Sequence, residues 1–263
     1  MKSIVVTNQK GGVAKTTICT NLAVGIIRYK PDTKILMVDI DPQGSLTYHF
    51  VKQRDEPEII SKIFGVDDYT RSDIIYRTRY KNIDIIPSDI KLSGKEFIAG
   101  QIIDGHRRLS GYLEKVRGAY DLAIIDTPPS LGFFSVNALM AATHVVIPFV
   151  PEKLSIIGLN DMLATIKKMT ERTKREIKVI GIMPVIVDFR YKSHKQIIKK
   201  LKSEFPDYYR EDLMVNTNAP LKDASTRRKS IYEYDFRAKS YKQFSYVSKA
   251  VYDEVLGDAA EEA

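Results

Sequence analysis

Two lysines within one glycine-containing stretch, and three aspartates that each close an apolar run, are the residues of this chain with chemistry to offer. The stretch is NQKGGVAKTT, residues 8–17. A phosphate-binding loop is usually written G-x-x-x-x-G-K-[ST]. Here Lys15-Thr16 supplies its ending, while Gln9 and Ala14 stand where the pattern has glycine, and Lys10 is an additional cation inside the loop. Gly11-Gly12 would let successive backbone N–H groups converge into an anion-binding nest. The N-terminus of a following helix would add partial positive charge, and Lys15 a full one. The Thr16 hydroxyl would suit a phosphate-bound Mg²⁺. Ala14 needs a backbone conformation open to an L-residue, or a little strain. The competing reading is a Gly-Gly turn that merely caps a helix.

The aspartates carry the second half of the chemistry. VDIDPQG (38–44) ends an apolar run with Asp39 and Asp41, then turns at Pro42 and Gly44. IIDTPPS (124–130) ends another with Asp126 and breaks at Pro128-Pro129. Hydrolysis of a Mg²⁺-nucleotide needs one carboxylate for the metal, directly or through water, and another to orient the attacking water. Each Asp alone could simply cap a turn or helix. Three together beside Lys15-Thr16 point to a catalytic set.

Such residues must be positioned by elements, and the pattern of elements is alternating. SIVVTN reads as a strand ending at the glycine loop, and Ile18, Leu22, Ile26 and Tyr29 recur at helical spacing over 16–29. Further strands are expected at 34–41, 82–88, 144–150 and 177–187, with a strand and turn over 120–130 and a short strand at DLMVN. Helices are expected over 92–116, 156–172 and 193–204, with two closing helical segments, and 51–81 is the least regular stretch. Near-continuous apolar strands alternating with helices predict an α/β chain. Its architecture would be a single doubly wound, mostly parallel sheet with helices on both faces, and ligands would bind at the carboxyl ends of the strands. No internal repeat or linker divides the chain, so residues 1–263 are expected to form one domain.

Taken together, NQKGGVAKTT, VDIDPQG, IIDTPPSLG and IPSDIKLSG resemble the ParA/Soj partition ATPases, within the deviant Walker A group of P-loop NTPases that includes MinD. The resemblance covers nearly the whole chain and extends to TNAPLKDASTRRKSIYEYDFRAKS. It implies ATP and Mg²⁺ as ligands and an Mg²⁺-dependent ATPase. On this resemblance Lys10 is similar to the signature lysine, which reaches across a nucleotide-sandwich homodimer. Lys10, Gly11, Gly12, Val13, Ala14, Lys15, Thr16 and Thr17 would bind nucleotide. Lys15 would be the in-subunit phosphate lysine and Thr16 a metal ligand with Asp126 and Asp41. Asp41 would position the hydrolytic water, with Lys10 and Asp39 completing the catalytic group and Asp39 in a supporting place. Asn218 and Pro220 are candidates for adenine contacts. Ala14 departs from the commoner glycine of the family.

The resemblance also implies an ATP dimer that binds DNA nonspecifically and is released when a ParB-like centromere-binding partner stimulates hydrolysis. Charge agrees: 41 Lys and Arg against 33 Asp and Glu give a net charge of +8, which favours a polyanionic partner. Arg190, Lys192, Lys195, Lys199, Lys200 and Lys202 cluster around one predicted helix, and Arg227, Arg228 and Lys229 form a second group. A phosphate-backbone surface is the expectation. Any single lysine is equally well a solvated helix face. Without a helix-turn-helix extension before the first strand, self-contained operator recognition is not expected.

Other classes fit less well. Cys19 is the single cysteine, which excludes a disulfide framework within one chain and leaves no pair of cysteines for a cluster shared between subunits. No apolar run approaches the roughly 20 residues that span a bilayer. Residues 2–8 lead straight into a strand, leaving no room for a signal peptide. A MinD-like membrane switch would need a basic amphipathic C-terminal helix, whereas this chain closes on GDAAEEA. The 15 tyrosines are spread through apparent helices rather than gathered in a kinase-like tail. A cytoplasmic, nucleoid-associated partition ATPase is therefore the expectation. A ParA-like positioning ATPase for another cargo is the alternative.

Overall fold

The computed structural model describes residues 1–51, 60–65, 74–102 and 104–257. Much of the irregular stretch 51–81 and the acidic C-terminal residues 258–263 lie outside the described residues. The elements in chain order are β1 (Lys2–Val6), α1 (Lys15–Tyr29), β2 (Ile35–Asp39), α2 (Ser45–Phe50), β3 (Tyr76–Arg77) and β4 (Ile83–Ile86). Then come α3 (Lys95–Gly100), α4 (Arg108–Val116), β5 (Leu122–Asp126), α5 (Phe133–Ala141), β6 (His144–Phe149) and α6 (Ser155–Thr173). The chain closes with β7 (Lys178–Val187), α7 (Lys192–Glu204), β8 (Val215–Asn216), α8 (Ala219–Thr226), α9 (Ile231–Tyr234) and α10 (Lys239–Leu256).

The strands form one sheet in the order β3-β4-β2-β5-β1-β6-β7-β8. All neighbours run parallel except β3 against β4. The expected doubly wound sheet is thus present, and its apolar strands are explained by burial on both faces. Along β1, β2 and β5 successive residues alternate between two cores. Val5, Leu36, Val38, Ala123 and Ile125 meet α4, α5, α6 and α7. Ile4, Val6, Ile35, Met37, Leu122 and Ile124 meet α1, α2 and α10.

Besides the short α2 and the two-residue β3, which were not expected from the sequence, three regions differ from the sequence expectation. The single helix expected over 92–116 is divided into α3 and α4, with a 3₁₀ turn at Gly105–Arg107 between them. Gly105 makes the fold-back possible, because a Cβ there would collide with the Ala99 carbonyl. Helix α5 follows the Pro128-Pro129 break without having been visible as a period. Seven of its nine residues are buried, so it has no polar face to generate one. The closing region holds three helices rather than two, because α9 is a short capping-box helix between α8 and α10.

Parallel pairing puts the carboxyl ends of β1, β2, β4, β5 and β6 along one edge of the sheet. The registers Val6↔Asp126 and Asp39↔Asp126 then bring the ends of β1, β5 and β2 level with one another. Helix α1, which leaves the loop after β1, is held by α10. At Gly25 the two helices approach so closely that a Cβ would stand 2.8 Å from Ser248 Cβ and strike the Ser248 and Tyr232 hydroxyls. Gly25→Ala should therefore destabilise the protein by about 1–3 kcal/mol through overpacking. Alanine's advantage of about 1 kcal/mol within a helix does not rescue it. Urea unfolding measures this, and an unchanged or raised midpoint would refute the close α1–α10 approach.

Candidate functional site

The loop between β1 and α1 is shaped by its own short-range bonds. Asn8 spans it: its Nδ2 donates to the Pro148 carbonyl at 2.6 Å, and its Oδ1 accepts from Lys10 N at 2.9 Å. Gly12 takes a left-handed backbone with φ 73° and Ala14 does so with φ 63°. Ala14 is also the N-cap of α1. The strain foreseen for an alanine at this position is thus real, and a non-glycine residue there costs of order 1 kcal/mol. The Lys15 ammonium lies over the loop, donating to the carbonyls of Asn8 at 3.1 Å and Lys10 at 3.3 Å. Burial lowers its pKa, against the pull of Asp126 and Asp41.

Across from the loop stand the three aspartates, in three different environments. Asp126 is 1% exposed. Its Oδ2 accepts from the Thr16 hydroxyl at 2.6 Å, and its Oδ1 is buried with no hydrogen-bond partner. Burial first, and then the neighbouring Asp39 carboxylate, push its pKa up to about 8. Asp39 is fully buried, and burial raises its pKa to about 6. Both its oxygens are occupied: Oδ1 by Asp41 N at 3.1 Å, Oδ2 by Thr47 N and the Thr47 hydroxyl, each at 2.8 Å. Asp39 is thus tied to the backbone and side chain of its own loop and of α2 through both oxygens. Asp41 is only half-buried and faces the cavity; one oxygen accepts from Gln43 N at 2.9 Å.

A cavity of about 800 Å³ opens over this edge of the sheet. Gly11 through Ile18, Asp41, Gln43 and Pro129 line one end of it. Val185, Ile186, Val215, Asn216, Thr217, Asn218, Leu221 and Phe244 line the other, with Tyr48, His49 and Ser225 along the wall. The volume is in the range of small-molecule sites, with Lys15 and Asp41 at one end and apolar side chains, interrupted by Asn216, Thr217 and Asn218, at the other. The Asn216 and Asn218 side-chain oxygens are buried without partners. Pro220 is not among the lining residues; it sits in the first turn of α8. His49 Nε2 lies 3.3 Å from the Ser225 hydroxyl. Burial, and then Arg79 and Arg228, hold its pKa down at about 4. Sequence reasoning missed Asn8, Thr47, His49 and Asn216, which belong to no phosphate or carboxylate pattern and matter only through what the fold brings to them.

Thr16 and the unpartnered Asp126 oxygen form a small donor set of hydroxyl and carboxylate oxygen. Among the described residues no group of three or more His, Cys, Asp or Glu side chains could hold a metal ion. Such a set suits a hard cation that completes its shell with phosphate oxygens and water, not one held in an all-protein cage.

Lys10 and the basic residues lie outside the cavity's polar end. The Lys10 ammonium pairs with Glu152 of its own chain, both being substantially exposed. On α7, Lys192, Lys195 and Lys199 recur on one exposed face and make no ion pair among the described residues. Lys200 pairs with Glu204 and Lys202 with Glu211, each at 3.5 Å. Arg190 is 84% exposed but holds Asp188 through two nitrogens. Arg228 differs from the expectation of a free cation: its guanidinium stacks 4.3 Å from the Tyr48 ring centre and donates to the Val51 carbonyl. Arg227 lies over Tyr234 at 5.6 Å, and Lys229 is exposed. The two basic groups do not form one patch, since α7 packs on one face of the sheet and the α8–α9 region on the other.

Comparison with known proteins places this geometry. The AAA domain family profile matches residues 1–179. The sporulation initiation inhibitor protein Soj of Bacillus subtilis is 35% identical over 251 residues, covering 95% of this chain and 98% of its own. The chromosome partitioning protein ParA of Caulobacter vibrioides is 27% identical, covering 95% and 94%. Among solved structures, cobyrinic acid a,c-diamide synthase of Mycobacterium smegmatis, with bound ATP analogue and magnesium, superposes with a TM-score of 0.70 at 30% identity. That match covers 78% of this chain and 83% of that one. No helix among the described residues is long and apolar enough to cross a membrane.

The raised Asp126 pKa has a measurable cost. An unfolded Asp titrates near 3.9. Folding therefore retains a proton at Asp126 between that value and about 8, and stability present at low pH is lost as pH rises through this window. Without nucleotide or metal, Asp126→Asn should raise the unfolding free energy at pH 8 and leave it unchanged near pH 4. Denaturant melts at the two pH values check this. An equal effect at both would remove the buried charge as its cause.

Proposed function

The chain belongs to the AAA domain family and, within it, to the ParA/Soj ATPases, and from that premise we propose that it is an Mg²⁺-dependent ATPase of DNA partition. In this reading residues 1–263 act as one ATPase domain. The observation that carries it is the Thr16–Asp126 hydrogen bond with the buried, unpartnered second oxygen of Asp126, next to Lys15 at the polar end of the cavity. The loop N–H groups, Lys15 and the α1 N-terminus take the phosphates. Thr16 and Asp126 would hold Mg²⁺, which would supply positive charge against the phosphates. Asp41 directs water at the γ-phosphate with the oxygen that Gln43 N leaves free. Asn216 and Asn218, with their unpartnered oxygens, take the base end.

Lys10 completes the site from a second copy in the ATP-bound homodimer. Its present partner, Glu152, is exposed, and a surface pair of this kind is worth about 0–1 kcal/mol, so Lys10 is free to exchange it for a partner's phosphates. The dimer binds DNA through the α7 lysines and leaves it after hydrolysis stimulated by a ParB-like protein, in a nucleoid-associated cytoplasmic cycle.

Two measurements test this. Lys15→Ala should lose ATP binding, whereas Asp41→Ala should keep ATP and Mg²⁺ binding and lose phosphate release. Retained micromolar ATP affinity in Lys15→Ala, or wild-type turnover in Asp41→Ala, would sink the assignment of that residue. Separately, Lys195→Glu with Lys199→Glu should weaken binding of random-sequence DNA while ATPase activity in the absence of DNA is unchanged. Wild-type affinity should fall steeply with salt, as each neutralised phosphate releases counterions. Salt-independent binding would argue against a phosphate-backbone mode.

A further inference from the structure

We propose that Thr47 is the positioning residue for ATP hydrolysis in this chain, fixing the loop that carries Asp41 to the segment after β4. The proposal rests on the ATPase reading above and extends it to a residue with no place in phosphate or metal chemistry.

Thr47 is the hub of a continuous set of hydrogen bonds. Its N–H and its hydroxyl both donate to Asp39 Oδ2 at 2.8 Å. Its hydroxyl oxygen also accepts from Ser88 N at 2.8 Å. The other Asp39 oxygen accepts from Asp41 N at 3.1 Å, and Asp41 in turn holds the Gln43 and Gly44 amides at 2.9 Å each. Ser88 N–H, the Thr47 hydroxyl, the Asp39 carboxylate and the Asp41 amide thus form one line from the end of β4 to the residue that directs water. The loop lies directly on the other segment. Gly44 has φ 62°, and a Cβ there would stand 3.0 Å from the Ser88 carbonyl.

Only a hydroxyl at position 47 can close this line. It donates to a carboxylate and accepts from an amide with one atom, and Asp39 and Ser88 are both buried, so neither can replace the lost bond with bulk water. A methyl in its place leaves the Thr47 N–H on Asp39, and with it the start of α2. It removes the tie to Ser88 and one of the three donors that set the Asp39 carboxylate. Small errors in the placement of a water-directing group cost up to about 100-fold in rate. Nucleotide affinity should be untouched, because Lys15, Thr16 and the loop amides are elsewhere.

The test compares Thr47→Val, which is isosteric, with Thr47→Ser, which keeps the hydroxyl. Thr47→Val should lower kcat by about tenfold or more, with binding of a fluorescent ATP analogue unchanged. Hydrogen exchange at the Ser88 amide should speed up in Thr47→Val. Thr47→Ser should restore most of the rate and the slow Ser88 exchange. Wild-type kcat in Thr47→Val overturns the proposal. So does equal impairment in both variants, or parallel loss of analogue binding and melting temperature in Thr47→Val, since these mark a merely structural role. A wild-type protein that does not hydrolyse ATP overturns the ATPase reading itself, and so separates that failure from this one.

Discussion

Asp39 and Asp126 end neighbouring parallel strands in exact register, and neither is reached by water. Two carboxylates in that position cannot both stay charged without compensation, and the rest of the site follows from how each is compensated. Asp39 is met by three donors, the Asp41 amide from the β2–α2 loop and the Thr47 amide and hydroxyl from the first turn of α2. Asp126 receives one hydroxyl and keeps an empty oxygen. Lys15 is the buried cation beside them and is itself held down by burial. The fold thus sets two buried carboxyl groups side by side at one strand edge and leaves Asp126 incompletely compensated, so that its charged form is disfavoured until a cation arrives beside it.

Much of this was legible in the sequence because strand ends announce themselves. An apolar run that stops at Asp and then Pro, as at Asp41-Pro42, or closely after it, as at Asp126 and Pro128, fixes both where a strand ends and what stands there. The glycine loop is legible for the same reason, since Gly11-Gly12 and Lys15-Thr16 are local. What was not legible is what depends on register. That Asp39 faces Asp126 comes from β2 lying next to β5, although 82 residues and two other strands, β3 and β4, lie between the end of β2 at Asp39 and the start of β5 at Leu122. Thr47 likewise gains its meaning from Ser88, 41 positions away.

The basic surface shows the same limit from the other side. A count of lysines and arginines does not tell which charges are already spent. Arg228 is used on Tyr48 and Val51, and Arg190 on Asp188. The α7 lysines at 192, 195 and 199 keep theirs because their side of the helix meets solvent, while Ile198 and Leu201 on the opposite side anchor it to the sheet. Periodicity within a helix is readable from sequence; the pairing of a long side chain with another element is not.

The cavity also gathers backbone strain. Ala14 at φ 63° and Ile186 at φ 56° both line it, in a conformation that is uncommon for alanine and a genuine outlier for a β-branched residue. Each costs of order 1–3 kcal/mol and persists only where neighbouring structure dictates it. At Ala14 the dictating structure is the start of α1 together with the Asn8 bridge to Pro148. At Ile186 it is the register shift between Val185 and Val187 against β8, which turns a side chain of an otherwise buried strand toward the cavity. Both ends of the cavity are therefore set by the packed scaffold before any ligand arrives, the polar end by the loop and the apolar end by the bulge. A site built this way spends little of its binding free energy on ordering itself, so on the proposed reading differences in affinity between ligands would fall on the groups they meet rather than on the ordering of the cavity.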